Sequence, residues 1–585
     1  MKLSDKYTLT SGSAYLTGIQ ALVRLPMDQM RRDRQAGLNT GCFISGYEGS
    51  PLGGYDLALG RERKLLAELG IHHWPAVNED LGATAIFGSQ IAPVMGPVNV
   101  DGVVGIWYGK GPGVDRSGDI FRHANLAGSP GLSATLVLAG DDPTSKSSTI
   151  PHQSDFSLMN WGLPVLMPGN TQEILDLGLF GIALARYTGL WTGMKLVTNV
   201  CDGGGTINLD PQRLQIVTPD SAYEKKMSPV LLMPHSLESE AQLNGPRTEA
   251  AIHFIRANQL NRILDSPAGA RIGIATAGKP YYDLRQALSD LGLRESPVRI
   301  AKFGATYPLD PEFARNFARG LDLIFVIEEK RSFLETHLRE ALYSLPDRPQ
   351  IIGKRDLDGR PLLPASGELD PDLLAVALAR ILDLPRRTFS LAPAATSKPT
   401  TPGRMPNFCS GCPHNRSTIS LEGQVVGGGT GCHGMGILMM DSGRGYQYCT
   451  HMGGEGAPWI GMAPFSQRQH IFHNLGDGTY FHSGSLAVQA CVAAQVNITF
   501  KLLYNSHVAM TGGQLATGAL AVPELTRKLE ADGVRKIIVL VEDVEKYAPF
   551  RHRFAANAEI RDRFELERTL RELEQESGVT VMLHD

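Results

Sequence analysis

Cysteine is scarce in this chain: seven residues in 585, too few for a disulfide framework. Charge of one sign is also lacking. Lysine plus arginine number 56 and aspartate plus glutamate 60, a net charge of −4. No long run of either sign occurs, which excludes the usual footprint of a nucleic-acid binder or a polybasic membrane anchor. No stretch reaches the ~18 uninterrupted apolar residues of a membrane span. Met1 to Thr10 has no apolar core of a secretory signal, so a cytoplasmic protein is expected. Repeats of solenoid period are missing too. What remains is ordinary for a globular protein, with 42% hydrophobic and 20% charged residues. The length exceeds one core, and about one domain per ~150 residues suggests three or four.

The alternation of short apolar runs with amphipathic stretches predicts an α/β chain of doubly wound parallel sheets. Strands are expected at Gly41–Ser45, Val103–Tyr108 and Ala134–Ala139, with Gly60–Leu69 as one helix capped by Gly70. The alternation restarts at Arg271–Thr276, Val298–Ala301 and Leu323–Ile327, and again at Ile471–Leu475, Ile498–Tyr504 and Lys536–Val541. The polar stretch Pro219–Arg247 reads as the first connection, and Leu391–Pro406, rich in Ala, Pro, Thr and Ser, as the second. Three Rossmann-like domains follow, at 1–235, 245–388 and 407–585, with a linker at 389–406.

The stretch richest in chemistry is Gly476-Asp477-Gly478, directly after an expected strand. A helical run, a second strand and Asn505 follow, 28 residues beyond Asp477. In a parallel sheet, strand–helix–strand brings both strand ends to one edge, where ligands bind. A carboxylate, an amide oxygen and a backbone carbonyl there suit an octahedral Mg²⁺ that also takes phosphate oxygens. Gly476 and Gly478 would let the backbone approach a diphosphate. A surface turn and an unrelated Asn is the plainer reading.

Four cysteines, Cys409, Cys412, Cys432 and Cys449, fall within 41 residues. The Cys-x-x-Cys pair and a third thiol 20 residues on suit iron–sulfur or zinc. His414, His433 and His451 stand beside them and keep zinc open. Cys42, Cys201 and Cys491 are isolated and read as small buried residues.

Gly476-Asp-Gly-Thr-Tyr-Phe-His-Ser-Gly484, running on to Tyr504-Asn-Ser-His-Val-Ala-Met-Thr-Gly-Gly-Gln514, resembles the thiamine-diphosphate motif of indolepyruvate:ferredoxin oxidoreductases. Cys409-Ser-Gly-Cys-Pro-His414 and Gly431-Cys432 resemble the cysteine motifs of that family. The likeness runs nearly end to end and fits the catalytic half of the long fused bacterial form. It implies a thiamine-diphosphate-binding fold with pyrimidine and diphosphate domains and a transketolase C-terminal-like domain between them. By the same likeness Asp477 and Asn505 hold Mg²⁺ through side chains and His507 through its carbonyl. Val77-Asn78-Glu79 resembles the family's Asn-Glu signature, making Glu79 the carboxyl that activates the pyrimidine; a solvated helix-start acid is the alternative. Gly46-Tyr-Glu-Gly-Ser-Pro-Leu-Gly53 resembles a substrate loop and departs from it at Glu48. Gly427–Gly431 and Met452–Gly456, with Gly453 and Gly454, would shape the cofactor pocket.

The resemblance further implies a four-iron (4Fe-4S) cluster on Cys409, Cys412 and Cys432. The family's fourth cysteine, after the last strand, is not in this sequence, so Cys449, a partner chain or a missing domain would supply it. The implied reaction is oxidative decarboxylation of a 2-oxo acid, an arylpyruvate such as indolepyruvate, with coenzyme A as acyl acceptor and ferredoxin as electron carrier. A smaller gamma-type subunit or domain, and a dimer or heteromer, are expected. Two other readings stay open: a non-oxidative thiamine-diphosphate decarboxylase or ligase, and a non-catalytic half-subunit.

Overall fold

Runs of β-branched and apolar residues bounded by glycine or aspartate become the interior strands of parallel sheets, because helices cover both faces. The computed structural model describes residues 4–220, 223–293, 296–384, 407–442 and 446–585. The expected linker at 389–406 lies outside them. The chain divides into two compact units, residues 1–394 and 395–585.

In the first unit a seven-stranded sheet runs, in spatial order, Ala305–Tyr307, Val165–Leu166, Thr192–Val197, Ala134–Asp141, Gly102–Lys110, Thr40–Gly46, Ile71–Pro75. Only Ala305–Tyr307 is antiparallel to its neighbour. All eight residues of Ala134–Asp141 are buried, as a strand covered on both faces requires. A second sheet of five strands has the order Gln350–Ile352, Leu323–Ile327, Ile272–Ala277, Arg299–Phe303, Asn261–Asp265, the last antiparallel.

One expectation is corrected here. The single helix over Gly60–Leu69 is two, Tyr55–Arg61 and Arg63–Glu68, with the break at Glu62. Gly70 does take the left-handed conformation (φ 71°) of a helix end. The stretch Pro219–Arg247 contains the helix His235–Gln242. The Arg247 guanidinium is buried and donates to the carbonyls of Asn125, Leu126 and Lys226. A polar composition hid a segment whose charge is consumed inside the fold.

The second unit is built on a fully parallel seven-stranded sheet. Its spatial order is Tyr448–Cys449, Val426–Gly428, Ile471–Gly476, Ile498–Leu503, Val579–His584, Lys536–Val541, Ala558–Asp562. From Val426–Gly428 the chain moves to one side, to Tyr448–Cys449. From Ile471–Gly476 it moves to the other side, to Ile498–Leu503. The loops leaving these two neighbouring strands therefore part company, which is the topological switch point where open α/β sheets bind ligands.

Candidate functional site

Asp477 sits at the tip of Ile471–Gly476 and Asn505 just beyond Ile498–Leu503, on adjacent parallel strands paired through Gly476 and Leu503. One Asp477 carboxylate oxygen accepts the backbone N–H of Asn505 at 2.8 Å and of Ser506 at 2.5 Å. The other accepts the N–H of Gly478 at 2.8 Å. Ser506 adopts a left-handed conformation (φ 61°), which turns two successive amides toward the carboxylate. Burial raises the Asp477 pKa, and the backbone N–H donors act against it by holding the anion. The Asn505 side-chain oxygen accepts the N–H of His507 at 2.9 Å, and the Asn505 carbonyl contacts His507 Nδ1 at 2.8 Å.

The two strand tips are thus locked into one loop cluster, with a carboxylate, an amide and the His507 backbone within it. This oxygen donor set, with only one charged member, fits a Mg²⁺ that relies on phosphate oxygens for the rest of its shell.

Glycines line the surroundings for steric reasons. A Cβ on Gly453 (φ 90°) would lie 1.9 Å from Ser483 Oγ, and one on Gly454 would lie 2.4 Å from the His451 ring. Met452–Gly456 therefore packs backbone-first onto the turn that follows Gly476-Asp477-Gly478. Glu455 joins the loops: it accepts the N–H of Gly453 at 2.7 Å and is held also by the backbone of Thr430. A Cβ on Gly429 would sit 2.1 Å from its other oxygen, Oε1, which is buried with no hydrogen-bond partner among the described residues. Burial raises the Glu455 pKa to about 8, so this acid holds a proton near neutrality. Thr479 Oγ1 donates to the Thr430 carbonyl at 2.9 Å, tying the same loop to the helix after Asp477.

Glu79, in the first unit, opens the helix Glu79–Met95 and is buried. Asn78 caps that helix, its side chain accepting the Leu81 N–H. The Trp107 indole donates to the Glu79 carbonyl at 2.9 Å. A Cβ on Gly113 would lie 2.4 Å from Glu79 Cγ, so glycine there gives the carboxyl its room. Burial, with help from Asp56 and Glu79, raises the pKa of Glu48 to about 7. Asp141, at the end of the strand Ala134–Asp141, is buried and accepts the N–H and hydroxyl of Ser154, a structural arrangement.

The cysteines are only partly gathered. Cys432 lies within electrostatic reach of Cys412, Cys409 and Asp477, placing it near the strand-tip site. Cys449 is exposed on an edge strand and feels Glu455 instead. Among the described residues no three His, Cys, Asp or Glu side chains are placed to hold a metal ion. The sulfurs suit iron–sulfur chemistry by type and are not closed around a metal position. Cys42, Cys201 and Cys491 are buried.

Two family matches cover these regions. Residues 262–393 match the "Indolepyruvate oxidoreductase domain" family. Residues 429–582, the Asp477 and Asn505 sheet, match "Thiamine pyrophosphate enzyme, C-terminal TPP binding domain". These two segments carry the likeness to indolepyruvate oxidoreductases and to thiamine pyrophosphate enzymes. Among curated proteins the chain resembles, the indolepyruvate oxidoreductase subunit IorA of Methanothermobacter marburgensis is 24% identical over 459 residues, 74% of this chain and 71% of the relative. The IorA subunit of Methanothermobacter thermautotrophicus is 24% identical over 538 residues, 88% and 78% of the respective chains. A solved 2-oxoglutarate:ferredoxin oxidoreductase from Magnetococcus marinus aligns at TM-score 0.45 and 14% identity over 63% of this chain and 65% of its own, too loose a likeness to bear weight.

Three further polar residues are not legible as site residues in the sequence. Glu455 passed as part of a glycine-rich turn. Lys501 is fully buried within an apolar strand, donates to the Ile419 carbonyl at 2.7 Å, and has its pKa lowered to about 7 by burial. A lysine inside an apolar run was its available signal. His433 was weighed only as a neighbour of Cys432. Its ring is fully buried, and burial, with His414 and His473 nearby, lowers its pKa to about 3.

Proposed function

We propose that this chain is the thiamine-diphosphate subunit of an oxidoreductase that decarboxylates a 2-oxo acid. An arylpyruvate such as indolepyruvate is the substrate class, taken from the names of the IorA relatives. The balanced reaction is 2-oxo acid, coenzyme A and two oxidised ferredoxins giving acyl-CoA, CO₂, two reduced ferredoxins and a proton. The observation that carries the reading is the Asp477 carboxylate gripped by the amides of Asn505 and Ser506 at a switch point of the sheet.

When bound, thiamine diphosphate supplies an electron sink for the loss of CO₂. Asp477 and Asn505 through their side chains, and His507 through its carbonyl, are the Mg²⁺ ligands of this reading. Gly453, Gly454, Gly476 and Gly478 give the backbone close approach to the diphosphate. Glu79 holds a proton for exchange with the pyrimidine ring; its burial away from water strengthens that interaction. Cys409, Cys412 and Cys432 are the proposed cluster thiolates, with Cys449 or a partner chain as fourth ligand. A smaller partner subunit and a heteromeric or dimeric assembly belong to the same proposal, following the naming of the relatives as subunits.

Anaerobic reduction of a viologen dye tests it, using the chain with its partner subunit, thiamine diphosphate, Mg²⁺, coenzyme A and indolepyruvate. Dye reduction dependent on both the oxo acid and coenzyme A is expected. Release of CO₂ without dye reduction would instead establish the non-oxidative decarboxylase.

A further inference from the structure

The crevice at the switch point has a wall that the Mg²⁺ ligands leave unexplained. Val426–Gly428 runs out into Gly429–Gly431, and His433 follows in the turn that begins at Cys432. The ring of His433 is fixed by its surroundings. Its Nε2 accepts the N–H of Gly429 at 3.3 Å, and its backbone carbonyl accepts the Tyr446 hydroxyl. A ring nitrogen that accepts a hydrogen bond carries no proton, so the proton of the neutral imidazole resides on Nδ1. That Nδ1 is buried and has no hydrogen-bond partner among the described residues. Native structures rarely leave a buried donor unpaired, and each such case calls for a partner.

The surroundings of the orphaned N–H identify the partner. A Cβ built on Gly431 would lie 2.9 Å from His433 Nδ1, and one on Gly476 would lie 3.5 Å from it. The nitrogen therefore lies beside two side-chain-free positions, one past the end of Val426–Gly428 and one at the tip of Ile471–Gly476, and Gly476 directly precedes Asp477. The group that would enter between these glycines beside a Mg²⁺ on Asp477 is an anionic oxygen.

We infer that His433 is a diphosphate-binding residue, whose Nδ1–H donates to a phosphate oxygen lodged between Gly431 and Gly476. The inference rests on the thiamine-diphosphate reading above and adds a neutral donor to it. A neutral imidazole whose other nitrogen is already engaged delivers a fixed direction without bringing a competing charge to the Mg²⁺.

Two substitutions separate the ring's two bonds. Gln in His433→Gln reaches the Nε2 position and preserves the acceptor for Gly429 while removing the Nδ1 donor. Asn in His433→Asn places an amide N–H near the Nδ1 position and gives up the Gly429 contact. Isothermal titration with Mg²⁺-thiamine diphosphate, and separately with Mg²⁺-pyrophosphate, is the measurement. His433→Gln should weaken both ligands about tenfold or more, the range for a hydrogen bond to a charged group. His433→Asn should stay within about threefold of the unaltered protein on the same grounds. His433→Gln binding as tightly as the unaltered protein would overturn the inference, as would His433→Asn weakening as much as His433→Gln. If the unaltered protein binds neither ligand, the thiamine-diphosphate reading itself fails. Far-UV circular dichroism checks folding of each variant. Should His433→Gln not fold, the ¹⁵N resonance of His433 Nδ1 in the unaltered protein decides: a shift on adding Mg²⁺-pyrophosphate supports the donor, and an unmoved resonance overturns it.

Discussion

Asp477 does structural work before any cation arrives, because its carboxylate takes three backbone N–H groups from two loops. Removing it takes the partner from three partly buried donors, and hydrogen bonds to a charged group are worth roughly 1–3 kcal/mol each. Asp477→Ala is therefore expected to lower the stability of the second unit by about 2–4 kcal/mol, read from its urea midpoint. Glu455 titrates in the opposite sense to a salt-bridged acid. Its folded pKa, about 8, lies above the model-peptide value of 4.5, so the folded state favours the protonated form. The stability this supplies is complete below the unfolded value and is lost as pH rises through the folded one. Glu455→Gln carries no such liability, so its stability relative to the unaltered protein should climb between pH 5 and pH 9. The expected gain is on the order of a few kcal/mol at about 1.4 kcal/mol per unit. A flat difference across that range would show the carboxyl to be solvated.

Elements aim these residues, and the helix Glu79–Met95 shows how closely. Its first residue is set by the Asn78 cap, the Trp107 hydrogen bond and the space left by Gly113. Asn78→Ala should cost about 1 kcal/mol, typical of a lost cap, measurable as a drop in the melting temperature of the first unit. Gly113→Ala drives a methyl to 2.4 Å from Glu79 Cγ and must displace the carboxyl. Since a displacement of ~1 Å can cost on the order of a hundredfold in rate, dye-linked turnover should fall by that order while binding of Mg²⁺-pyrophosphate is unchanged. Equal losses in both would place Glu79 away from the reacting end.

The sequence made Asp477, Asn505 and Glu79 legible because each stands at the junction of a periodic run and a turn. The breaks it concealed depend on other chain segments. Ala305–Tyr307 is too short to show a period and is a strand only because Val165–Leu166 lies beside it. Likewise the buried charge of Arg247 is explained by carbonyls more than a hundred residues away, and His433 by an amide four residues back.

At the scale of the whole molecule, Glu79 belongs to the unit of residues 1–394 and Asp477, Asn505 and His507 to the unit of residues 395–585. The parallel sheets follow from the alternation of apolar runs and helices across the chain. No described helix is long and apolar enough to cross a membrane. The cysteines give a prediction at this scale. Purified anaerobically with its partner subunit, the protein should be brown, with broad absorbance near about 400 nm. The combined Cys409→Ala and Cys412→Ala variant should lose that colour and dye reduction while still binding Mg²⁺-pyrophosphate. A colourless complex that still reduces the dye would remove these thiols from the electron route.

The central claim is that Asp477 and Asn505 present a Mg²⁺-diphosphate site, and calorimetric titration of thiamine diphosphate, with and without Mg²⁺, measures it directly. Binding that requires Mg²⁺ in the unaltered protein and disappears in folded Asp477→Asn is the predicted result. Binding that is indifferent to Mg²⁺, or that survives Asp477→Asn unchanged, would contradict it.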